Sequence, residues 1–95
     1  MMQRLEARFS GRVQGVGFRA TVADLARQFQ LCGTVCNVHD GSVKLVAEGD
    51  SVELVGFLES IQRQMARNIV STNTAWSDVS HPEFANFQII SDRAS

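Results

Sequence analysis

From residue 4 to residue 13 apolar and polar positions alternate. Leu5, Ala7, Phe9, Gly11 and Val13 fall on one side, and Glu6, Arg8, Ser10 and Arg12 on the other. That period of two predicts a strand with one buried face. A glycine-bearing stretch follows, and the period then changes: Val22, Leu25, Ala26 and Phe29 recur at helical spacing to about Leu31, where Gly33 can end a first helix. Thr34 to Val38 and Ser42 to Glu48 read as two strands joined by His39-Asp40-Gly41, whose Asp-Gly pair suits the positive backbone angles of a tight antiparallel hairpin. Asp50 and Glu53 resemble a capping box ahead of a second helical stripe formed by Leu54, Leu58, Ile61 and Met65. Beyond it, Trp76, Val79, Phe84, Phe87 and Ile89, disposed around Pro82, predict one or two closing strands, with Trp76 and the phenylalanines read as core.

The order strand, helix, strand, strand, helix, strand defines an α+β class. It is the ferredoxin-like βαββαβ sandwich, an antiparallel sheet with both helices on one face. In that arrangement the first two strands run parallel with the third between them, so their C-terminal ends emerge at the same end of the sheet. The 14–19 loop and Asn37 are thereby expected about 9.6 Å apart, two strand spacings. A phosphoryl group and one water would fill that gap.

Composition narrows the picture. Ninety-five residues with 44% hydrophobic content suit one core, and residues 1–95 are read as a single domain. The net charge of -1, with nine basic and ten acidic residues interspersed, lacks the positive field that non-specific nucleic-acid binding draws on. No apolar run approaches the roughly 20 residues that span a bilayer, and the N-terminus alternates instead of forming an apolar signal core. A cytoplasmic monomer without a membrane or nucleic-acid partner is expected. Cys32 and Cys36, about 13 Å apart on an extended chain, are too distant to bridge, and the two histidines are not at ligand spacing from them. Reduced thiols and no metal are expected. His39 and Asp40 are expected to be solvated in the turn, and neither cysteine has an activating histidine beside it in the sequence.

Candidate chemistry centres on Val13-Gln14-Gly15-Val16-Gly17-Phe18-Arg19. Glycines without a Cβ let the chain turn so that several backbone N–H groups face one concave spot at the start of the first helix. No Ser, Asp or Asn immediately precedes that helix as a cap, so its first N–H groups remain available to an anion. Arg19 in the first turn opposes the helix dipole by some tenths of a kcal/mol, an effect that a bound dianion reverses. The pattern has no Gly-Lys-Ser/Thr and lacks the dinucleotide spacing, which disfavours nucleotide binding.

These residues carry a resemblance. Gly-Arg-Val-Gln-Gly-Val-Gly-Phe-Arg at 11–19, Gly-Thr-Val-Cys-Asn at 33–37, Asp-Gly-Ser-Val at 40–43 and Glu48-Gly49 together resemble the acylphosphatase family, strongly over the first half of the chain and by layout over the second. The resemblance implies that Arg19 and the backbone amides of Gly15, Val16, Gly17, Phe18 and Arg19 bind a phosphoryl group, that Asn37 positions the attacking water, and that no cofactor is needed. Thr34 stands where an aromatic is common, Cys36 where a basic residue is common and therefore as a candidate exposed thiol, and Ile90 where Arg is common.

The chemistry agrees with the implied reaction. An acyl phosphate expels a carboxylate whose conjugate acid has a pKa near 4, so the leaving oxygen needs no general acid. Fixed amides and one arginine suffice for the charge on the equatorial oxygens, and a metal-independent hydrolase of acyl phosphates is expected. The alternative is a noncatalytic module that holds phosphate or carbamoyl phosphate. An RNA-binding use of the same layout would want exposed aromatics where the third strand carries Val43, Lys44, Leu45 and Val46.

Overall fold

A computed structural model describes residues 1–95. The elements are β1 (Met2–Gly11), α1 (Phe18–Ala26), β2 (Leu31–Asn37), β3 (Val43–Asp50), α2 (Ser51–Gln64), β4 (Ile69–Asp78) and β5 (Phe87–Ile89). They form one sheet in the order β4-β1-β3-β2-β5. The first four strands pair antiparallel, as the βαββαβ order predicts, and the short β5 adds a parallel pairing to β2 that makes the five-stranded sheet mixed.

Alternation along β1 buries Leu5, Ala7 and Phe9, and the matching face of β3 buries Val43, Leu45 and Ala47. Against this floor pack Phe18, Val22 and Ala26 of α1 and Leu54, Phe57 and Ile61 of α2, giving one core between the sheet and both helices. Ring pairs tie its ends together: Phe9 meets Phe18 at 5.2 Å and Phe57 meets Phe87 at 5.8 Å between centroids, separations at which tilted aromatic pairs are favourable.

Several local expectations change. Helix α1 stops at Ala26, and Gly33 does not end it. Gly33 lies inside β2 opposite Ala47, where an added Cβ would sit 2.0 Å from the Val46 carbonyl oxygen. Glycine is used there because the neighbouring backbone comes too close for any side chain. The capping box does not form. Asp50 is the N-cap of α2 but makes no cap bond and lies 3.7 Å from the N-terminal ammonium, while Glu53 Oε1 accepts the backbone N–H of Gln30 at 2.7 Å. A long-range donor has taken the carboxylate that local capping would have used. Leu58 of the predicted stripe is only partly buried, and Phe57 takes a full place in the core.

In the β2–β3 hairpin only Gly41 has a positive φ, 96°. Asp40 keeps an ordinary backbone and its carboxylate accepts the N–H and hydroxyl of Ser42 at 2.9 and 2.6 Å. That hydroxyl bond first, and the Ser42 backbone N–H with it, hold the Asp40 carboxyl below its ordinary pKa. Asp40 is therefore a turn-former as well as a solvated residue.

Trp76 is not core. It sits on β4, at the sheet edge, and is 41% exposed, because neither helix reaches that far across the sheet. Cys36 is buried, not exposed as its place in the resemblance suggested, while Cys32 is partly exposed, and both are free. No helix is long and apolar enough to cross a membrane.

Candidate active site

The strand register sets the site. Phe9 of β1, Val43 of β3 and Asn37 of β2 occupy one row across the sheet, so β1 and β2 end together. From the end of β1 the 12–17 segment crosses to α1. Gly15 and Gly17 have φ of 76° and 78°, whereas Val16 between them does not have a positive φ. Left-handed glycines either side of a residue that is not left-handed are the backbone pattern from which amide nests are built. A Cβ at either glycine would meet nothing within 4 Å, so backbone angle and not space requires glycine here.

Gly17 is the N-cap of α1 in the left-handed conformation, with no side-chain cap bond and no acidic residue in the first turn. No backbone N–H from Gln14 to Ala20 donates to a protein acceptor; the first bond of the helix is Thr21 N–H to Gly17 O at 3.0 Å. The uncapped start anticipated from the sequence is what the structure contains, and it leaves these N–H groups without protein acceptors at the positive end of the helix dipole.

Beside these donors lies a depression of about 220 Å³ lined by Val13, Gly15, Gly17, Arg19 and Ile89, among others. Arg19 supplies its one cationic side chain and makes no hydrogen bond to protein; its nearest acid is Asp92, 3.8 Å from Nη1. The Phe18 side chain is buried against Phe9 and fixes the loop to the core, which leaves its backbone N–H among the free donors.

Asn37 stands across from the loop at the same sheet end. Its Oδ1 is buried and has no hydrogen-bond partner, while its carbonyl accepts the Arg93 N–H at 2.9 Å. A buried acceptor left unpaired is costly unless something at the site donates to it. The loop is tied directly to this neighbourhood by Gln14, whose Nε2 donates to the carbonyls of Val38 and Ser42, each at 2.8 Å. Sequence reading assigned Gln14 no role. The signal was its place inside the loop motif, but two acceptors from another hairpin become its partners only in the folded chain.

The C-terminal segment was also missed. Ile90 donates to the Val35 carbonyl, and Arg93 forms an isolated parallel bridge with Val38, so residues 90–93 continue along the open edge of β2 past Asn37. Residue 90 thus contributes a backbone bond and an apolar side chain where the resemblance led one to look for Arg.

The other candidates lie elsewhere. His39 is in the exposed hairpin turn and His81 is exposed beyond β4. Cys36 alternates with Asn37 and faces the opposite side of the sheet, under the C-terminal segment, in a cavity lined also by Thr34, Ile90 and Arg93. On that same face Glu48, 3% exposed, accepts from Arg4 at 2.6 and 3.0 Å and from the Glu83 N–H at 2.9 Å. Burial works to raise the Glu48 carboxyl pKa. The amides of Glu83 and Phe84 and the Arg4 guanidinium outweigh it and hold the group below its ordinary value. This is a structural ion pair behind the sheet.

Fold and site define a class: a small α+β sandwich with an open, uncapped row of loop amides beside one arginine that makes no hydrogen bond to protein. The acylphosphatase family model matches residues 5–89. An acylphosphatase of Salinibacter ruber is 36% identical over 88 residues, covering 92% of each chain. That of Photorhabdus laumondii is 61% identical over 44 residues, which span 46% of this chain and 48% of the relative. Among solved structures, acylphosphatase from Bacillus subtilis superposes with a TM-score of 0.81 at 32% identity, covering 95% of this chain and 99% of that one. The chain belongs to the acylphosphatase family.

Proposed function

We propose that the chain, read as a single acylphosphatase-like domain over residues 1–95, hydrolyses the carboxyl-phosphate bond of acyl phosphates through Arg19, Asn37 and the amides of the 15–19 loop. As an acylphosphatase the protein is a hydrolase acting on acyl phosphates. The observation that carries the residue assignment is the run of unpaired N–H groups from Gln14 to Ala20 beside the Arg19 guanidinium, which makes no hydrogen bond to protein, at the sheet end that also holds the unpaired Asn37 Oδ1.

In this reading the phosphoryl group lies in the nest with its equatorial oxygens on the amides of Gly15, Val16, Gly17, Phe18 and Arg19 and on the Arg19 guanidinium. Asn37 Oδ1 accepts a hydrogen bond from a water and directs its oxygen at phosphorus. A P–O bond to that water forms as the P–O bond to the acyl oxygen breaks, giving carboxylate and inorganic phosphate. Charge develops on the equatorial oxygens in a loose transition state, where fixed donors stabilise it without having to reorganise. The carboxylate leaves unaided, because it is a weak base. Metal-free turnover follows from that leaving group, as does selectivity against unactivated monoesters, whose alkoxide would need an acid. The reading includes a cytoplasmic monomer acting on a small molecule. The near-neutral charge of -1 supports the absence of a nucleic-acid partner.

Hydrolysis of benzoyl phosphate in the presence of a chelator tests it. Wild type is expected to turn over, Arg19→Ala to lose at least about 100-fold in kcat/KM with weakened phosphate inhibition, and Asn37→Ala to lose kcat while still binding phosphate. Unchanged turnover in Asn37→Ala refutes the water-positioning role. A wild type that binds phosphate but does not turn over would instead make the domain a phosphate- or carbamoyl-phosphate-holding module.

A further inference from the structure

We infer that Asp92 sets the affinity of the site for the phosphoryl group by competing with it for Arg19; the inference rests on the phosphate-binding role proposed above. Asp92 Oδ1 lies 3.8 Å from Arg19 Nη1, and it is the one acidic group within ion-pair distance of that guanidinium. The carboxylate does not hang from a loose tail. Two residues before it, Ile90 N–H donates to the Val35 carbonyl at 3.0 Å; immediately after it, Arg93 N–H donates to the Asn37 carbonyl at 2.9 Å and the Arg93 carbonyl accepts the His39 N–H at 2.8 Å. A single short segment therefore braces the backbone of Asn37 and presents a negative charge to Arg19.

The quality of the contact separates it from a structural ion pair. Arg4 and Glu48 meet at 2.6 Å with the carboxylate buried. Asp92 and Arg19 are 3.8 Å apart, with 57% and 38% of their side chains exposed, and no hydrogen bond joins them. Arg19 keeps its N–H donors for a ligand while its charge is partly balanced by a half-exposed neighbour not hydrogen-bonded to it. A phosphoryl dianion entering the nest must displace or repel that carboxylate. The repulsion acts equally on bound substrate, transition state and product phosphate, which weakens binding uniformly and leaves the chemical step unchanged. Inorganic phosphate, which satisfies the same donors as the substrate, is held correspondingly less tightly.

Asp92→Asn keeps the shape of the side chain and the flanking backbone bonds but removes the charge. At low ionic strength the inhibition constant for inorganic phosphate and the KM for benzoyl phosphate are expected to fall together by about two- to fivefold, the range for exposed charges near contact, with kcat within about twofold of wild type. The difference should shrink in about 0.5 M salt, where the Debye length approaches 4 Å. Asp92→Ser is expected to change both constants in the same direction. Unchanged or weaker phosphate inhibition in both variants, with wild-type thermal melts, overturns the competition. A fall in kcat at constant phosphate affinity would instead make Asp92 a positioning residue for Arg19, and also refutes it. Arg19→Ala in the same titration separates the two readings: if it binds phosphate as wild type does, the site assignment has failed, whatever Asp92→Asn does.

Discussion

Replacing Gln14 with alanine would cut the link between the 12–17 loop and the hairpin that follows Asn37. The side chain donates two hydrogen bonds of 2.8 Å, to Val38 O and Ser42 O. Neither carbonyl is orphaned by the loss, because Val38 O also accepts the Gly41 N–H and Ser42 O the Val38 N–H. The cost is then that of two net hydrogen bonds without a burial penalty, about 1–2 kcal/mol in all. For a chain of 95 residues that corresponds to a melting temperature lower by roughly 5–15 °C. Catalysis should lose more than stability does. In the proposed mechanism the loop amides act through their placement, and displacements of about 1 Å can cost 100-fold, so kcat/KM for benzoyl phosphate is expected to fall at least about tenfold. Gln14→Glu should be worse, since it turns an acceptor toward two carbonyls and adds negative charge beside the nest. Thermal melts by circular dichroism with steady-state kinetics at saturating and limiting substrate read both effects. A Gln14→Ala protein with wild-type kinetics and melting would refute the reasoning, and would mean that Phe18 packing on Phe9 alone holds the loop in place.

Two further outcomes follow from the sheet behind the site. Glu48 has its carboxyl held below the ordinary value when folded, so it contributes stability above its unfolded pKa near 4.3, and that contribution is lost as pH falls through the folded value; urea unfolding of wild type should therefore weaken below about pH 4.5 more steeply than that of Glu48→Gln, and parallel pH profiles would contradict the assignment. Gly33→Ala places a Cβ 2.0 Å from the Val46 carbonyl oxygen in the middle of the β2–β3 ladder, and is expected to cost about 3 kcal/mol or more in urea unfolding, where a loss under 1 kcal/mol would show that the strands can part without penalty.

Much of this protein could be read from the chain by itself, where local rules decide. The alternation of Leu5, Ala7 and Phe9 fixes which side of β1 is buried, because strand side chains point to opposite faces in turn. Asp40-Gly41 places the hairpin, although only Gly41 takes the positive angle and Asp40 works through its carboxylate. Gly15 and Gly17 already marked a left-handed turn into an uncapped helix start, since backbone angle and missing caps are properties of neighbouring residues. The topology then required that the end of β1 and Asn37 lie at one end of the sheet, and the register of both with Val43 agrees.

What the chain could not specify locally are choices between partners distant in sequence. Glu53 could cap its own helix or receive the Gln30 amide, and the turn after α1 decided for Gln30. Gly33 looked like a helix stop until β3 was laid against it at a distance no Cβ tolerates. Trp76 reads as core by its size, yet the helices leave the β4 edge uncovered. Gln14, Asp92 and Arg93 have no periodicity to betray them; they matter because the sheet brings Val38, Arg19 and Asn37 within their reach. Sequence thus determined the left-handed loop, the uncapped helix start and the arginine beside it, by backbone angle and charge, and only the packed sheet decided which other residues lie against those groups, because such contacts join segments tens of residues apart.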